Sequence, residues 1–251
     1  MSRIILAYHG VADYKDSKWI EYCSQKYDLK ELSVRPDSFE KQLEYLRKNG
    51  YRSVSLKDFW NYRQEKIQLP KKCVAITFDD GFQNFFSFAC PLLRKYGYTA
   101  TVFLVTDKIT SDDRNFLSWE EVFRLREEGF SFGAHTLSHP VLTSLPRELA
   151  EKEIKESKRI IEEKLRSSVE FFCYPYGEFN PEVSDLVKKA GFKGAVVTPS
   201  GPGIKEGAFS LKRVGINRNN SMLVFRFKVS GVFSWIREQK LLWRVIKAAQ
   251  Q

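Results

Sequence analysis

The chain has 251 residues and a mass of 29.3 kDa, enough for one large domain or two small ones with a sizeable core. Hydrophobic residues make up 43% and charged residues 29%, which excludes a disordered or collagen-like chain. The net charge is +10, and residues 205–251 contribute +8 through ten basic and two acidic residues. This basic end favours an anionic partner surface, either membrane or nucleic acid.

Membrane spans and secretion signals are not evident in the sequence. No apolar stretch approaches the roughly 18 residues that cross a bilayer, and the first residues are too short an apolar run for a signal-peptide core. We therefore expect a cytoplasmic chain. The cysteines, Cys23, Cys73, Cys90 and Cys173, form no C-x-x-C pair and are expected to be reduced thiols.

Predicted strands and helices alternate along the chain. A long loop is expected over residues 13–35. Buried apolar runs predict strands over residues 4–8, 74–78, 100–105, 130–134, 169–173, 194–197 and 213–216. Helical periodicity predicts helices over residues 37–48, 91–96, 119–128, 147–166 and 181–190. About seven alternations indicate an α/β fold with a parallel sheet, open or closed, and a length near 250 favours a barrel.

Polar residues mark several helix ends. Asp37 is predicted to cap a helix that ends at Asn49. Ser118 and Glu121 match a capping box at the start of another helix. Leu149 is assigned to the apolar side of the long helix over residues 147–166.

Two of the three histidines, His135 and His139, are spaced i, i+4 directly after a predicted strand. On a helical turn this spacing places both imidazoles on one side, where they can bind one metal ion. A polar loop with exposed histidines explains the spacing equally well, so both interpretations stay open. The third, His9, also follows a strand, where a half-buried structural histidine is the simpler explanation.

Asp79 and Asp80 end another predicted strand. Neighbouring side chains on an extended chain point to opposite sides, so one carboxylate can bind a metal while the other serves as a base. An ordinary Asp-Gly turn is the alternative. Asp80, His135 and His139 together supply three ligands and leave a fourth position open, which is typical of a catalytic zinc site.

Three motifs in order resemble the polysaccharide deacetylase family, the NodB-homology domain of carbohydrate esterase family 4. They are Thr-Phe-Asp-Asp-Gly at 77–81, His-Thr-Leu-Ser-His-Pro at 135–140 and Cys-Tyr-Pro-Tyr-Gly at 173–177, and the resemblance spans about residues 74–216. The opening Tyr8-His9 resembles a branch of which some members act on N-acetylglucosamine polymers. The resemblance implies a distorted (β/α) barrel with about seven parallel strands, over residues 1–224.

The resemblance also implies roles for individual residues. Asp80, His135 and His139 would bind one divalent metal, zinc in the first place or else cobalt, nickel or manganese. Asp79 would be the catalytic base, and the backbone N–H of Tyr176 would stabilise the oxyanion. Contacts with the substrate are expected from Tyr176, Pro175 and Trp119.

Two departures from the family pattern need replacements. Cys173 stands where the family has an arginine that orients the catalytic aspartate, and Arg213 is the predicted substitute. The family's usual Leu-x-His near the end is missing because no histidine follows His139. In the branch that opens with Tyr-His the first-strand histidine takes this role, so His9 is the predicted general acid. Cys173 itself is expected to be a small buried residue.

The C-terminal segment 225–251 has six basic residues and one acidic residue among apolar ones, including Trp235 and Trp243. It is either a terminal helix packed on the barrel or an interfacial helix on an anionic membrane.

The predicted function is metal-dependent removal of N-acetyl groups from an amino-sugar glycan or a lipid-linked sugar. Removal of a formyl or O-acetyl group is a related alternative. A barrel that has lost catalysis and binds membrane or nucleic acid is a second class, disfavoured because the catalytic ligands are retained and no nucleic-acid motif is present.

Overall fold

The structure, a computed structural model, describes residues 2–13, 22, 29–111, 113–198 and 203–239. Most of the loop predicted over residues 13–35, with Cys23, lies outside the described residues. The same holds for residues 240–251, which include Trp243.

Parallel strands form the centre of the described fold. Their bounds are β1 (Ser2–Tyr8), β4 (Arg52–Ser53), β5 (Lys72–Phe78), β6 (Thr101–Leu104), β7 (Ser131–Ala134), β8 (Phe171–Cys173), β9 (Gly194–Val197), β10 (Leu211–Lys212) and β11 (Val214–Gly215). They are hydrogen-bonded in the order β10-β9-β8-β7-β6-β5-β1-β11, with β4 beside β5. A separate parallel pair joins β2 (Gly10–Val11) to β3 (Ser33–Val34).

The sheet closes through one strand that is interrupted at Arg213. Its first half, β10, pairs with β9, while its second half, β11, pairs with β1 at Leu6 and Ala7. The N–H of Arg213 donates to the carbonyl of Val197 at 2.8 Å, so the residue sits where the strand changes neighbours. Counting β10 and β11 as one strand leaves seven positions around the wall. The predicted distorted barrel of about seven parallel strands is confirmed.

Helices surround this wall. Their bounds are α1 (Leu29–Leu32), α2 (Pro36–Lys48), α3 (Leu56–Arg63), α4 (Cys90–Tyr96), α5 (Thr106–Thr110), α6 (Trp119–Glu127), α7 (Arg147–Leu165), α8 (Pro181–Lys189), α9 (Met222–Val229) and α10 (Val232–Glu238). A π-helical turn, Phe85–Ala89, precedes α4, and 3₁₀ turns span Leu142–Ser144 and Pro175–Gly177.

The structure tests the two predicted helix caps, and only one of them is correct. The capping box is confirmed, since Ser118 accepts the N–H of Glu121 while the Glu121 carboxylate accepts the N–H of Ser118. The prediction of Asp37 as a cap is wrong, because the cap position is Arg35 and Asp37 lies in the first turn. Pro36 explains the shift, since proline suits the first helical position, where no N–H donor is needed.

The apolar side of α7 differs from the predicted one by one residue. Leu149 is 50% exposed, so its predicted place on the buried side is wrong. The buried positions are Ala150, Ile154, Ser157, Ile161 and Leu165. These positions follow a spacing of three and four residues, and Leu149 lies about 100° away from them around the helix.

Small and apolar side chains fill the barrel interior, including Ile5, Ala75, Phe103 and Leu211. A Cβ at Gly133 would lie 2.4 Å from the Phe103 ring, so glycine is needed there for the ring to fit. This packed interior leaves the carboxyl ends of the strands as the place for polar side chains.

The last two described helices both pack on the barrel and expose apolar side chains. Phe225 and Val229 are fully buried, whereas Leu223, Phe227 and Trp235 are exposed. The predicted segment boundary at residue 225 falls inside α9. None of the described helices combines the length and apolar character that crossing a membrane requires.

Candidate active site

Polar side chains converge at the carboxyl ends of three strands. His9 follows β1, Asp79 and Asp80 follow β5, and His135 follows β7. Because these strands are parallel, their carboxyl ends open on one face of the barrel. All of these residues are predicted to follow strands, and the structure brings them together.

Asp80, His135 and His139 form a compact triangle of donor atoms. Asp80 Oδ1 lies 3.4 Å from His135 Nε2 and 3.5 Å from His139 Nε2, and the two Nε2 atoms are 3.2 Å apart. Ligands of a tetrahedral zinc ion with bonds of about 2.0–2.1 Å are about 3.3–3.4 Å from one another. The residues present therefore suit a small divalent metal ion.

The two imidazoles differ in how they are prepared for metal binding. The Nδ1 of His135 lies 2.8 Å from the carbonyl oxygen of Cys173, which makes Nδ1 the donor and directs Nε2 toward Asp80. Burial alone would lower the pKa of His135, but its contacts with Cys173 and Asp80 raise it well above the ordinary value, so metal binding at Nε2 displaces a proton. Burial, together with the neighbouring His135, lowers the pKa of His139 to about 4. His139 is therefore neutral at physiological pH, as metal binding requires.

The loop that carries these histidines is not a helix, which corrects the predicted helical turn. Thr136 and His139 both have a φ of 67°, in the left-handed region that costs most residues energy. The Thr136 hydroxyl accepts the N–H of His139 at 2.9 Å. The rings meet, with centroids 4.7 Å apart, because the loop twists back on itself.

Glu153 of α7 holds this loop and was missed by the sequence reasoning. Its Oε2 accepts the backbone N–H groups of Leu137 and Ser138, both at 2.9 Å, and its Oε1 accepts the Ser138 hydroxyl at 2.7 Å. No sequence signal distinguishes Glu153 from the other acidic residues of a highly charged helix. One carboxylate therefore fixes two of the three residues between His135 and His139.

Asp79 is held by a buried arginine. Arg213 donates from Nη1 to Asp79 Oδ1 and from Nη2 to Oδ2, both at 2.6 Å, and both side chains are buried. Burial alone would raise the pKa of Asp79, but the guanidinium holds it well below its usual range. The structure thus places Arg213 on Asp79, where the sequence analysis expected a replacement for the family's arginine.

Asp79 and Asp80 diverge because the chain turns between them. Asp80 has a φ of 70°, so it leaves the extended path of β5. Asp79 points toward Arg213, while Asp80 points toward the histidines. The two carboxylates point in different directions, as expected, although a left-handed residue produces this divergence rather than strand alternation.

Cys173 lies beside this pair as a buried thiol. Its Sγ is 3.2 Å from Arg213 Nη2, and burial raises the pKa of the thiol. A buried, protonated thiol is a poor nucleophile. These observations agree with the predicted role of Cys173 as a small packing residue.

His9 lies beside the Asp79 carboxylate. Its Nε2 is 4.0 Å from Asp79 Oδ2, and the side chain is 27% exposed. The Nδ1 atom is buried without a hydrogen-bond partner. His9 is therefore in contact with both the cluster and the solvent.

Of the three predicted substrate-contact residues, Tyr176 lies next to the cluster. Tyr176 is 65% exposed, has a φ of 60°, and its ring centroid lies 4.8 Å from that of His139. Pro175, just before it, is buried. The Trp119 ring lies 5.8 Å from Lys164 Nζ of α7, so its observed contact is with a neighbouring helix.

A sequence model described as polysaccharide deacetylase matches residues 66–195. The chain belongs to the polysaccharide deacetylase family. Within this family it is 31% identical over 206 residues to the poly-beta-1,6-N-acetyl-D-glucosamine N-deacetylase of Staphylococcus epidermidis, covering 76% of this chain and 71% of that protein. It is 29% identical over 195 residues to a putative polysaccharide deacetylase of Bacillus subtilis, covering 77% and 69%.

Solved structures of deacetylases have the same fold. The Streptococcus pyogenes deacetylase PplD, in complex with acetate, superposes with a TM-score of 0.79 at 26% identity, covering 91% of this chain and 98% of that one. The predicted membership of the polysaccharide deacetylase family is confirmed. The prediction that the protein is a hydrolase is confirmed with it.

Proposed function

We propose that this polysaccharide deacetylase removes N-acetyl groups from an N-acetylglucosamine-containing glycan or lipid-linked sugar, with a divalent metal ion bound by Asp80, His135 and His139. The donor triangle beside the ionised Asp79 carries the proposal. The names of the staphylococcal relatives, which specify a poly-N-acetylglucosamine substrate, support the choice of acyl group and sugar.

A divalent cation at these ligands supplies Lewis-acid polarisation of the acetamide carbonyl, and zinc is the first choice. Asp79 serves as the base that takes a proton from the attacking water. The bidentate contact with Arg213 keeps this carboxylate ionised and aimed, but it also makes it a weak base. Asp79 can therefore accept a proton only from a water molecule whose pKa is already lowered.

Departure of the amine needs a proton from another residue. His9, 4.0 Å from Asp79 and partly exposed, is the only histidine of the chain outside the metal-ligand set. Imidazole is the side chain that most often transfers protons in catalysis, so His9 is the proposed donor to the leaving amine. The backbone N–H of Tyr176 is the proposed donor to the oxyanion.

Tyr176 also offers a surface for the sugar. Its exposed ring stands beside His139, where a pyranose ring can pack against it while the acetamide points toward the metal ligands. Pro175, which directly precedes Tyr176 in this turn, is buried. A contact of Trp119 with the substrate stays a prediction, to be tested by Trp119→Ala.

Acetate release from β-1,6-linked and β-1,4-linked N-acetylglucosamine oligomers tests the proposal. We expect release that stops after treatment with a chelator and returns with zinc. Asp79→Asn should lower turnover by at least about a hundredfold and retain the metal, whereas the surface control Asp185→Asn should match the wild type. Faster hydrolysis of N-formyl or O-acetyl analogues would contradict the assigned acyl group, and loss of metal from Asp79→Asn would make Asp79 a ligand.

We also propose that the surface of α9 and α10 contacts an anionic membrane. Leu223, Phe227, Val232 and Trp235 are exposed there, in the most basic part of the chain. Basic residues near an anionic surface contribute about 1 kcal/mol each, and apolar side chains add to this by insertion.

Sedimentation with phosphatidylserine vesicles tests this contact. Leu223→Ala with Trp235→Ala should reduce binding, and added salt should weaken it. Leu149→Ala, an exposed leucine on α7, is the control and should bind like the wild type. Equal binding by the double variant and the wild type would refute the membrane contact.

A further inference from the structure

A cavity of about 390 Å³ opens where the barrel wall is split, away from the active-site cluster. The strand register explains the split. β11 pairs with β1 only at Leu6 and Ala7, so among the described strands the first half of β1 has β5 as its neighbour. Helices α3 and α10 contribute the other walls of the cavity.

Half of the side chains that line this cavity are charged. Four are basic and two acidic, which gives an excess of two positive charges; they are Arg3, Arg63, Lys212, Arg237, Glu206 and Glu238. Arg63 pairs with Glu206 and Lys212 with Glu238. The two positive charges that remain unpaired with a carboxylate are therefore those of Arg3 and Arg237.

Both remaining arginines lack a carboxylate partner among the described ion pairs. Arg3 donates to the carbonyl oxygen of Leu69 and lies over the ring of Tyr62. Arg237 is only 3% exposed, donates from Nη1 to the carbonyl oxygen of Arg213 at 2.9 Å, and has a buried Nε without a hydrogen-bond partner. Burial lowers the pKa of Arg237, and the nearby carboxylates of Glu238 and Glu206 offset this only in part. A buried guanidinium with an unused donor is costly unless an anion compensates it.

We propose that this cavity is a binding site for a phosphate group, with the Arg237 guanidinium as its principal donor and Arg3 and Lys212 at its margin. A guanidinium presents its N–H groups in a fixed fork that matches the oxygens of a phosphate. A phosphate monoester carries about two negative charges at neutral pH, which equals the excess of positive charge in the lining. The volume leaves room for the small molecule or lipid headgroup that carries the phosphate.

The site also touches the catalytic apparatus through one peptide group. The carbonyl that Arg237 binds belongs to Arg213, and the side chain of Arg213 holds Asp79. A ligand bound to Arg237 in the cavity therefore contacts the side chain that is hydrogen-bonded to the peptide carbonyl of Arg213, between β10 and β11.

Calorimetric titration of the full chain with inorganic phosphate, against chloride at equal ionic strength, tests the proposal. We expect saturable binding to the wild type. Arg237→Gln should bind phosphate at least tenfold more weakly. If Arg237→Gln does not fold, Lys212→Gln is measured in its place and should also bind at least tenfold more weakly. Arg226→Gln, which removes a basic residue from α9 outside the cavity lining, is the matched control and should bind like the wild type.

The source of the phosphate is decided by two further probes. Tighter binding of glycerol 3-phosphate than of inorganic phosphate indicates a soluble phosphate ester. Arg237-dependent binding to vesicles that contain phosphatidic acid, without tighter binding of glycerol 3-phosphate, indicates a lipid headgroup. No phosphate binding beyond the chloride control, or unchanged affinity in the folded Arg237 or Lys212 variant, would overturn the proposal without affecting the proposed deacetylation.

Discussion

Replacement of Glu153 by alanine should weaken metal binding although Glu153 is not a metal ligand. The carboxylate accepts three hydrogen bonds from the loop between His135 and His139, at distances of 2.7–2.9 Å. Without them, the left-handed conformations of Thr136 and His139 lose their support from α7. The loop can then relax to conformations in which the two imidazoles no longer converge.

The magnitude follows from the number and exposure of these bonds. A hydrogen bond to a charged group contributes roughly 1.5–3 kcal/mol when it is buried. Ser138 is exposed, so water can replace much of the free energy that its two hydrogen bonds contribute. We therefore take about 2 kcal/mol for the three hydrogen bonds together. At about 1.4 kcal/mol per tenfold change in affinity, this loss corresponds to a roughly thirtyfold weaker zinc affinity. The range of 10–100-fold found for residues that support metal ligands contains this value.

Competition with a chromogenic zinc chelator measures this affinity, with circular dichroism to confirm the fold of the metal-free protein. Glu153→Gln should lie between the wild type and Glu153→Ala, since its amide oxygen can accept the two backbone N–H groups without the charge. Glu148→Ala removes an exposed carboxylate from the same helix and should leave the affinity unchanged. A Glu153→Ala protein that binds zinc within threefold of the wild type would refute the role of Glu153, whereas a wild type without zinc affinity would refute the metal site itself.

Three further changes test the site and the barrel. Arg213→Met should lower the free energy of unfolding by about 3–5 kcal/mol, since it leaves the Asp79 carboxylate buried without a counter-charge; chemical denaturation measures this loss. The pKa of Asp79 is lowered in the folded wild type, so its stabilising contribution is present above the unfolded-state pKa of about 3.9 and is lost as the pH falls further. The gap between wild type and Arg213→Met should therefore be largest at neutral pH and narrow as the pH falls below about 4, and a constant gap would contradict the ion pair as its cause. His9→Ala should keep its metal and lose most amide hydrolysis while sparing an aryl acetate, whose leaving group needs no proton; equal losses would make His9 a packing residue. Gly133→Ala should lower the melting temperature because its Cβ would overlap the Phe103 ring, at a cost of about 1–3 kcal/mol, and an unchanged melting temperature would refute tight packing there.

Elements with a strong local signal were predicted closely. The strand Gly194–Val197 and the capping box at Ser118 agree with the structure residue for residue. Their signals, a short apolar run and a pair of polar side chains three residues apart, depend on neighbours in the chain. The cap of α2 was missed because Pro36 can start a helix without a capping side chain.

The sequence alone determined which residue types could do the chemistry. With only three histidines, two of them four residues apart, and an Asp pair after a strand, the set of metal-ligand candidates was small. What the sequence did not determine was the conformation that joins them, since the loop from His135 to His139 is twisted rather than helical.

Only the tertiary structure decided how these residues meet their partners. The family resemblance suggested Arg213 as the partner of Asp79, but the contact spans 134 positions of the chain and exists because the closing strand changes neighbours at Arg213. Glu153 reaches the histidine loop because α7 packs beside β7, and Arg237 is buried because α10 lies over the split in the wall. Local patterns carry no record of such contacts: each depends on where the closed barrel brings distant segments together, and burial then makes every unpaired charge costly.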